Sequence, residues 1–479
     1  MKNNRLDVSR RSFMKSVLAS GVFPLLPGCF SSRGYIANSK VRLACCGVGG
    51  MGENDIEQFT ATGLCDIVAL CDVDLGAEHT IKSLKKHPSA ARFHDFREMF
   101  DKMSGAFDAV VAGVPDHAHF PIAMRAMKEG KAIYSEKPMG HTFREIQIMI
   151  DAAEKYGVVT QMGNQGHSCD SYYQMRDYVR TGVIDPNKVN KIETHMNYPR
   201  RWHKWNGNVA QIPVTTCPRP DTMSEKDWLT WLGTVPENLP FSKDLHYGEW
   251  RSWYKFGNGC LGDWGAHIMD GIHEFFELGL PTEIVISDVR GWNKFVFPMA
   301  DTVTFRFAAT AKRKALDVVW REGIGNTPEL PKGFVIKGAD GIPKSGGQDF
   351  GKDETLPAGK EIWMEDGTVW QGGSHNTSLI KCGAPDAEIP DWEYRGGGCN
   401  WPNQHYENFL RAVRGEIKTT SPFAVAGPLS QLFTLGCIAQ RLNRSIRFDP
   451  LRKQVVDDAE ANALLAPPTR LGWDEYYCL

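Results

Sequence analysis

The stretch VRLACCGVGGMG, Val41–Gly52, joins a short apolar run to a glycine-rich turn. Gly47, Gly49 and Gly52 have the GxGxxG spacing. At these positions glycine permits a tight turn, a close approach of the backbone to a pyrophosphate, and tight packing of a helix on a strand. Since a helix N-terminus also favours negative charge, a strand, turn and helix in this order predict a dinucleotide site. A glycine-rich turn without a ligand is the alternative.

The second apolar run, DIVALCD, ends in a carboxylate that strengthens this prediction. Asp72 follows Gly47 by 25 residues, and a carboxylate at the end of the second strand can accept hydrogen bonds from ribose hydroxyls. The next residues are Val73 and Asp74, and no arginine follows directly. A 2′-phosphate would therefore meet negative charge, so the sequence predicts NAD in preference to NADP.

Short apolar strands and helical stretches alternate from Lys40 to about residue 165, which is the pattern of parallel strands joined by right-handed crossovers. Residues 40–165 are predicted as a Rossmann domain. Strand-like runs then follow one another, and residues 166–450 are predicted as a domain for substrate binding and oligomerisation. The fold class is an α/β Rossmann domain plus an α+β domain with an open, mostly antiparallel sheet. Residues 346–398 are predicted as long loops and 451–479 as a C-terminal tail.

The first 39 residues differ from the rest of the chain. SRRSFMK, Ser9–Lys15, precedes the apolar run SVLASGVFPLLPG, which is short for a bilayer span. Twin arginines before such a run resemble a Tat-type export signal. The segment Leu26–Cys29 resembles a lipobox, although a proline precedes its glycine. Residues 1–39 are therefore predicted as signal and linker, with the mature protein in the periplasm or held at the membrane by a lipid anchor on Cys29.

Composition limits the classes of partner. The chain is 42% hydrophobic and 23% charged, with a net charge of −2, so a nucleic-acid partner, which needs a concentrated basic surface, is not expected. The 12 cysteines include no zinc-finger spacing, and no metal site is predicted. A small molecule is the expected partner.

The stretch GCLGDWGAHIMD, Gly259–Asp270, places Asp263 and His267 four positions apart on one face of a predicted helix. Three interpretations are open. The pair is an acid–base couple, it is ordinary packing, or it supplies two metal ligands, in which case a further histidine such as His273 would be needed.

The stretch YSEKPMG, Tyr134–Gly140, makes a family resemblance specific. A Glu-Lys-Pro motif after the fifth Rossmann strand, together with the glycine fingerprint and a later Asp-x-x-x-His, resembles the glucose-fructose oxidoreductase/inositol dehydrogenase (Gfo/Idh/MocA) family over roughly residues 40–450. The resemblance implies an active site between the two domains. It also implies that Lys137, Asp263 and His267 are catalytic, with Lys137 near the nicotinamide and the reacting carbinol.

The segment GVPDHAHF, Gly113–Phe120, resembles the family's Thr-Pro-Asn-x-x-His segment, with Val114 and Asp116 in place of Thr and Asn. His119 takes the His position, and His117 and His119 either line the cofactor site or cap a helix. The cofactor-binding residues expected from the fingerprint and the resemblance are Gly47, Gly49, Gly50, Met51, Gly52, Asp72, Pro115, His119, Glu136 and Lys137.

Oxidation of a secondary alcohol needs a base beside the nicotinamide, and His267 is suited to that role. The leading hypothesis is an exported oxidoreductase that transfers hydride from a hydroxyl-bearing carbon of a sugar, glycoside or cyclitol to tightly bound NAD. The alternatives are a redox-neutral NAD-dependent glycosidase or epimerase, and a non-catalytic sugar-binding protein. Aromatic residues either stack on a sugar ring or fill a core or an oligomer interface; they are Trp202, Trp205, Trp250, Trp253 and Tyr254. A homo-oligomer is expected.

Overall fold

The computed structural model describes residues 39–199, 216–329, 358–375, 379–382, 387–388 and 403–479. The predicted Tat-type signal, the lipobox at Cys29, and Trp202 and Trp205 lie outside these residues.

The N-terminal part is a six-stranded parallel sheet in the order β3-β2-β1-β4-β5-β6. Its strands are β1 (Val41–Cys46), β2 (Cys65–Cys71), β3 (Ala91–Phe93), β4 (Ala109–Ala112), β5 (Ala132–Ser135) and β6 (Thr160–Met162). Its helices are α1 (Met51–Ala61), α2 (Ile81–Lys86), α3 (Phe96–Met103), α4 (Asp116–Lys128) and α5 (Phe143–Tyr156). Every residue of β4 and β5 is buried, as expected where helices cover both faces of a parallel sheet.

Local sequence sets several helix ends in this part. Thr142 and Glu145 form a capping box at the start of α5, and Gly157 ends that helix in a left-handed conformation. Asp95 caps α3 by accepting from the Arg97 N–H. Helix α1 begins where the dinucleotide fingerprint ends, and no side chain among the described residues caps it, so its first N–H groups remain available to a ligand.

The second part is a ten-stranded sheet in the order β14-β13-β12-β11-β7-β10-β9-β8-β15-β16. Its elements are, in chain order, α6 (Asp170–Thr181), β7 (Val189–Met196), α7 (Glu225–Leu232), α8 (Gly259–Ile268), α9 (Asp270–Phe275), β8 (Glu283–Arg290), β9 (Ala300–Phe307), β10 (Leu316–Glu322), β11 (Gly359–Met364), β12 (Val369–Gly373), β13 (Ile380–Cys382), β14 (Ala387–Glu388), α10 (Asn403–Val413), α11 (Phe423–Leu442), β15 (Ile446–Asp449), β16 (Gln454–Val455) and α12 (Ala459–Leu465). Strands β7 and β10 pair in parallel, and the other neighbouring strands pair antiparallel.

The predicted fold class is confirmed, but two local predictions were wrong. Strands β11 to β14 lie within residues 346–398, which were predicted as loops, and the short strand β3 was not predicted. The reason in β11 is compositional: Lys360 and Glu361 interrupt its apolar pattern, yet both are buried. Pairing with β7 and β12 therefore decided the structure where local propensity did not. The run GFVIKGA lies outside the described residues.

Later parts of the chain return to the Rossmann part. Tyr406, Phe409 and Leu410 of α10 share a hydrophobic core with strands β1, β2, β4 and β5, and Tyr476 from the predicted C-terminal tail packs against Phe96 of α3. Helix α11 is long and apolar enough to cross a membrane, but 83% of its most apolar window is buried inside the protein. It packs against α5 and α8, which is the position of a core helix that joins the two parts.

Candidate active site

A cavity of about 320 Å³ opens at the carboxyl ends of the Rossmann strands and is closed by residues from the second part of the chain. This is the edge at which open α/β sheets bind ligands. Its Rossmann wall contains eight of the predicted cofactor-binding residues, namely Gly47, Gly49, Gly50, Met51, Asp72, Pro115, Glu136 and Lys137. Gly52 and His119 are not among the residues that line it.

The glycine turn is built for close approach. Gly47 has a φ of 76°, and a Cβ added there would lie 2.3 Å from the Gly113 carbonyl oxygen. Gly52 is not a lining residue because it faces the strand side, where an added Cβ would lie 2.1 Å from the Gly47 carbonyl oxygen. Gly50 lines the cavity, and an added Cβ there would meet nothing within 4 Å. Open space in front of an uncapped helix N-terminus fits the pyrophosphate of a dinucleotide.

Asp72 lies at the other end of the glycine turn. Its Oδ2 accepts from the Val48 N–H and its Oδ1 accepts from the Asp74 N–H, both at 3.0 Å. Each carboxylate oxygen has two lone pairs, so both can still accept a bond from a ribose hydroxyl. Asp72 therefore shapes the turn and remains able to bind a nucleotide.

The segment at the start of α4 has a supporting role. His119 Nδ1 donates to the Pro138 carbonyl oxygen at 2.8 Å, and His117 Nε2 donates to the Trp231 carbonyl oxygen at 2.7 Å. Burial lowers the pKa of each imidazole to about 4. The structure thus places His119 outside the cavity lining, where it fixes the turn that follows Lys137. Asp116 does line the cavity, and burial raises its pKa to about 7.

Lys137 joins the two parts of the chain. It follows β5, lines the cavity, and forms a buried ion pair with Asp263 Oδ1 of α8. Arg251 Nη1 approaches the same oxygen at 3.6 Å and also lines the cavity. The Asp263 carboxylate thus lies between two cations, Lys137 and Arg251, both of which line the cavity. Asp263 therefore fixes the position of the Lys137 ammonium group at the cavity wall.

His267 lies one helical turn after Asp263 and is buried. Its Nδ1 has no hydrogen-bond partner among the described residues, and its ring packs against that of His375 with centroids 3.9 Å apart and an angle of 30° between the rings. Burial, then the charges of His375 and Lys137, lower the pKa of His267 well below its ordinary value. A neutral imidazole is able to accept a proton. Asp263 and His267 are not among the residues that line the cavity.

Sequence reasoning did not find His375. It follows β12, and burial together with the charges of Lys137 and Lys360 lowers its pKa to about 4. Its position depends on pairing of β12 within a sheet that was predicted as a loop, so no local signal pointed to it. His273, the third ligand that a metal interpretation required, instead donates to the Gly279 carbonyl oxygen at 2.9 Å.

The second wall of the cavity consists mainly of aromatic side chains that sequence reasoning largely missed. Trp231, His246, Tyr247, Trp250 and Trp473 line it. Tyr247 stacks on His79 of the Rossmann part, with ring centroids 4.1 Å apart and an 18° angle between the rings. Of the three predicted aromatic residues that the structure describes, Trp250 lines the cavity, and Trp253 and Tyr254 are buried in hydrophobic clusters.

Two family models match the chain. Residues 41–164 match the oxidoreductase family, NAD-binding Rossmann fold, of Gfo/Idh/MocA proteins, and residues 383–475 match the C-terminal alpha/beta domain of the same family.

Two curated relatives are similar over part of their length. Inositol 2-dehydrogenase/D-chiro-inositol 3-dehydrogenase of Lactiplantibacillus plantarum is 28% identical over 29% of this chain and 39% of its own. Alpha-N-acetylgalactosaminidase of Shewanella oneidensis is 32% identical over 29% of this chain and 31% of its own. The match thus spans about a third of the length of these relatives.

Solved structures share the fold over most of the chain. The WlbA dehydrogenase of Bordetella pertussis, solved with NADH and UDP-GlcNAcA, has a TM-score of 0.52 at 13% identity and covers 86% of this chain and 99% of its own. The aldose-aldose oxidoreductase of Caulobacter crescentus, solved with glycerol, has a TM-score of 0.54 at 12% identity and covers 86% and 100%.

Proposed function

Because the chain carries the N-terminal and C-terminal domains of the Gfo/Idh/MocA oxidoreductase family, we propose that it is an exported NAD-dependent oxidoreductase acting on a hydroxyl group of a sugar, a glycoside or a cyclitol. The observation that carries the proposal is the Lys137–Asp263 ion pair at the cavity that follows the glycine turn. It holds Lys137, the residue that would orient the substrate hydroxyl, at the wall of a cleft between the two parts of the chain.

Different residues of this chain would bind the cofactor and act on the substrate. The N-terminus of α1 and Asp72 hold the pyrophosphate and a ribose of the cofactor, and the residues after Asp72 favour NAD. When bound, NAD supplies a hydride acceptor. Lys137 orients the substrate hydroxyl, and His267 takes the proton from its oxygen as a neutral imidazole. Asp263 orients Lys137 through the ion pair.

We also propose that NAD is held through many catalytic cycles. A Tat-type signal directs a folded protein with its cofactor to a compartment where free NAD is expected to be scarce. The Tyr247–His79 stack closes the cavity on the side of the glycine turn, since Gly49 lies directly beside His79. Tyr247 is still 57% exposed, so the stack acts as a cover at the mouth of the cavity, and a cover of this kind slows release more than it speeds binding. Lipidation of Cys29 and a homo-oligomer stay predictions.

A redox-neutral NAD-dependent glycosidase or epimerase is the second candidate. The similarity to an alpha-N-acetylgalactosaminidase favours it, and so does the presence of two neutral imidazoles, His267 and His375, where a simple dehydrogenase needs one base. A non-catalytic sugar-binding protein is the third candidate; the Lys137–Asp263–His267 set argues against it.

The test is to purify the mature protein, dialyse it without NAD, denature it and measure the nucleotide released. The same preparation is then incubated with a panel of sugars, nitrophenyl glycosides and cyclitols while nicotinamide absorbance and product are both followed. Net NADH supports the dehydrogenase, and cleavage without lasting NADH supports the glycosidase. Binding of a sugar without any change in the cofactor would leave only the binding protein. A chain that neither contains nor binds NAD contradicts the whole proposal.

A further inference from the structure

Two buried carboxyl groups meet beneath the glycine turn. Asp55 projects from α1 and is fully buried, and Glu136 directly follows the strand β5, is buried and lines the cavity. The Asp55 carboxyl lies within hydrogen-bond reach of Glu136. Both carboxyl groups are therefore shielded from water in the interior of the Rossmann part, with exposures of 0% for Asp55 and 4% for Glu136.

A small set of donors organises the pair. Tyr406 donates to Asp55 Oδ1 at 2.8 Å, and Gln165 Nε2 donates both to Glu136 Oε1 at 2.9 Å and to the Tyr406 hydroxyl at 3.1 Å. The Lys137 N–H donates to Glu136 Oε2 at 3.2 Å. Three of the four carboxyl oxygens therefore have a donor.

The fourth oxygen, Asp55 Oδ2, has no donor among the described residues. A buried acceptor without a donor is costly, and two adjacent carboxylates in an interior of low dielectric are costlier still. One proton shared between Asp55 and Glu136 removes both costs. The pair is then a single proton-binding unit with one negative charge.

Other ionisable groups surround the pair on each element that packs against it. Burial raises the pKa of Glu136 to about 7, while Lys137 and Arg251 act in the opposite direction. Burial and then Glu136 raise the pKa of Asp55 well above its ordinary value. Cys45, Tyr134, Tyr406 and His405 also lie close; burial raises the pKa of the first three and lowers that of His405 to about 3, so all four are uncharged at neutral pH.

We propose that the Asp55–Glu136 pair is the proton store of the active site: it releases its shared proton when NAD⁺ binds in the cavity and keeps it when NADH binds. The inference rests on the proposed use of NAD. Glu136 lines the cavity beside Lys137, so it is exposed to the positive charge that distinguishes the oxidised nicotinamide from the reduced one. Added positive charge favours the ionised carboxylates.

The Asp55–Glu136 pair accounts for the proton that alcohol oxidation releases. When the alcohol is oxidised, its C–H bond breaks and the hydride goes to the nicotinamide, and its O–H bond breaks and the proton goes to the enzyme. His267 receives this proton and passes it on to the pair, which lost one proton to solvent when NAD⁺ bound and binds one again as the positive charge of the ring disappears; His267 is then neutral again. In a redox-neutral cycle the same proton returns with the hydride, so no exchange with bulk water is required.

The experiment needs no substrate. Binding of NAD⁺ and of NADH is titrated by the fluorescence of Trp231 and Trp250, which line the cavity, from about pH 6 to about pH 8, where one released proton changes affinity by up to about tenfold per pH unit. The affinity for NAD⁺ is expected to rise with pH and that for NADH to stay flat. Asp55→Asn, which keeps the shape of the side chain, should flatten the NAD⁺ profile.

Glu322→Gln is the matched control, because Glu322 is a buried carboxyl whose pKa burial also raises to about 7 and which is not among the cavity-lining residues; this variant should retain the NAD⁺ slope. Asp116→Asn tests the competing carboxyl, since Asp116 lines the same cavity and burial raises its pKa to about 7 as well. Calorimetric titration of the unmodified protein in phosphate and in Tris gives the number of protons released and requires no variant. A flat NAD⁺ profile with normal binding overturns the proton store and leaves the proposed function intact. A slope that is lost in Asp116→Asn and kept in Asp55→Asn also overturns it. Absence of binding by either nucleotide overturns both.

Discussion

The two walls of the cavity are built in different ways. The Rossmann wall is made of backbone and short side chains, Gly47 to Met51 with Asp72, whose positions follow from a strand, a turn and a helix that are adjacent in sequence. The opposite wall is made of large rings on residues 231–250 and on Trp473. An aromatic cluster that includes Trp228, Phe241 and Trp253 packs against the rings on residues 231–250. One wall presents polar atoms to a nucleotide, and the other covers it.

We therefore expect the two walls to affect different properties of cofactor binding. Changes to the Rossmann wall should alter equilibrium affinity, because they remove hydrogen bonds to the cofactor. Changes to the aromatic wall should alter the rate of release, because they open the cover. The catalytic step should depend on Lys137, a residue of the Rossmann wall that is paired with Asp263 of α8, outside the cavity lining.

The largest effect is expected from Lys137→Ala. Turnover of an active substrate should fall by about a hundredfold to ten-thousandfold, the range that proton-transfer groups contribute, and His267→Ala should act in the same direction. NAD affinity should change little, because the nucleotide is held at the other end of the cavity. Steady-state kinetics and NAD titration measure the two quantities. Lys86→Ala, which removes an exposed lysine paired with Glu57, is the control. Equal losses in affinity and turnover would mean that Lys137 holds the cofactor instead.

Asp72→Ala tests the Rossmann wall. The variant loses a charge-assisted acceptor for the ribose and also the bonds that hold the Val48 and Asp74 N–H groups. Hydrogen bonds to charged groups contribute about 1.5–3 kcal/mol, so NAD should bind roughly tenfold to a hundredfold more weakly. The rate of hydride transfer in the loaded enzyme should be nearly unchanged. Unaltered NAD affinity would remove Asp72 from the cofactor site.

Tyr247→Ala tests the aromatic wall. The stack with His79 should be worth about 0.5–1.5 kcal/mol, so loss of the ring should accelerate NAD release by up to roughly tenfold. Tyr247→Phe keeps the ring and should release NAD at the original rate. Release is measured by stopped-flow displacement with an excess of a fluorescent analogue. If Tyr247→Phe releases NAD as much faster than the unmodified protein as Tyr247→Ala does, the hydroxyl and not the stack retains the cofactor.

The same difference between the walls explains which residues could be predicted from the sequence. The glycine turn, Asp72 and the Glu-Lys-Pro motif are local patterns, and the structure brings all three to one cavity. Tyr247 and Trp473 reach that cavity only through tertiary packing, and His375 reaches His267 only because β12 pairs in the sheet. No periodicity or spacing in the chain records such contacts. Asp55 illustrates the limit most clearly, since on sequence alone it is an ordinary polar residue of α1.

The smallest expected effect comes from a second buried carboxyl pair, which lies in the sheet far along the chain from either wall. Asp301 of β9 accepts from Gln440 at 2.9 Å, and Glu322 of β10 accepts from the Trp320 indole at 2.8 Å. Burial raises the pKa of Glu322 from 4.5 to about 7. Because the folded pKa lies above the unfolded one, the stability contributed by the protonated form is fully present below about pH 4.5 and is lost as the pH rises to about 7.

Glu322→Gln keeps an acceptor for the indole and removes the titration. Between about pH 5 and pH 8 the Tm of the variant should therefore fall by a few degrees less than that of the unmodified protein, as measured by calorimetry without NAD. Parallel profiles would mean that Glu322 does not titrate in this pH range, and of the two pairs only Asp55–Glu136 would then remain a candidate for a proton that titrates near neutral pH.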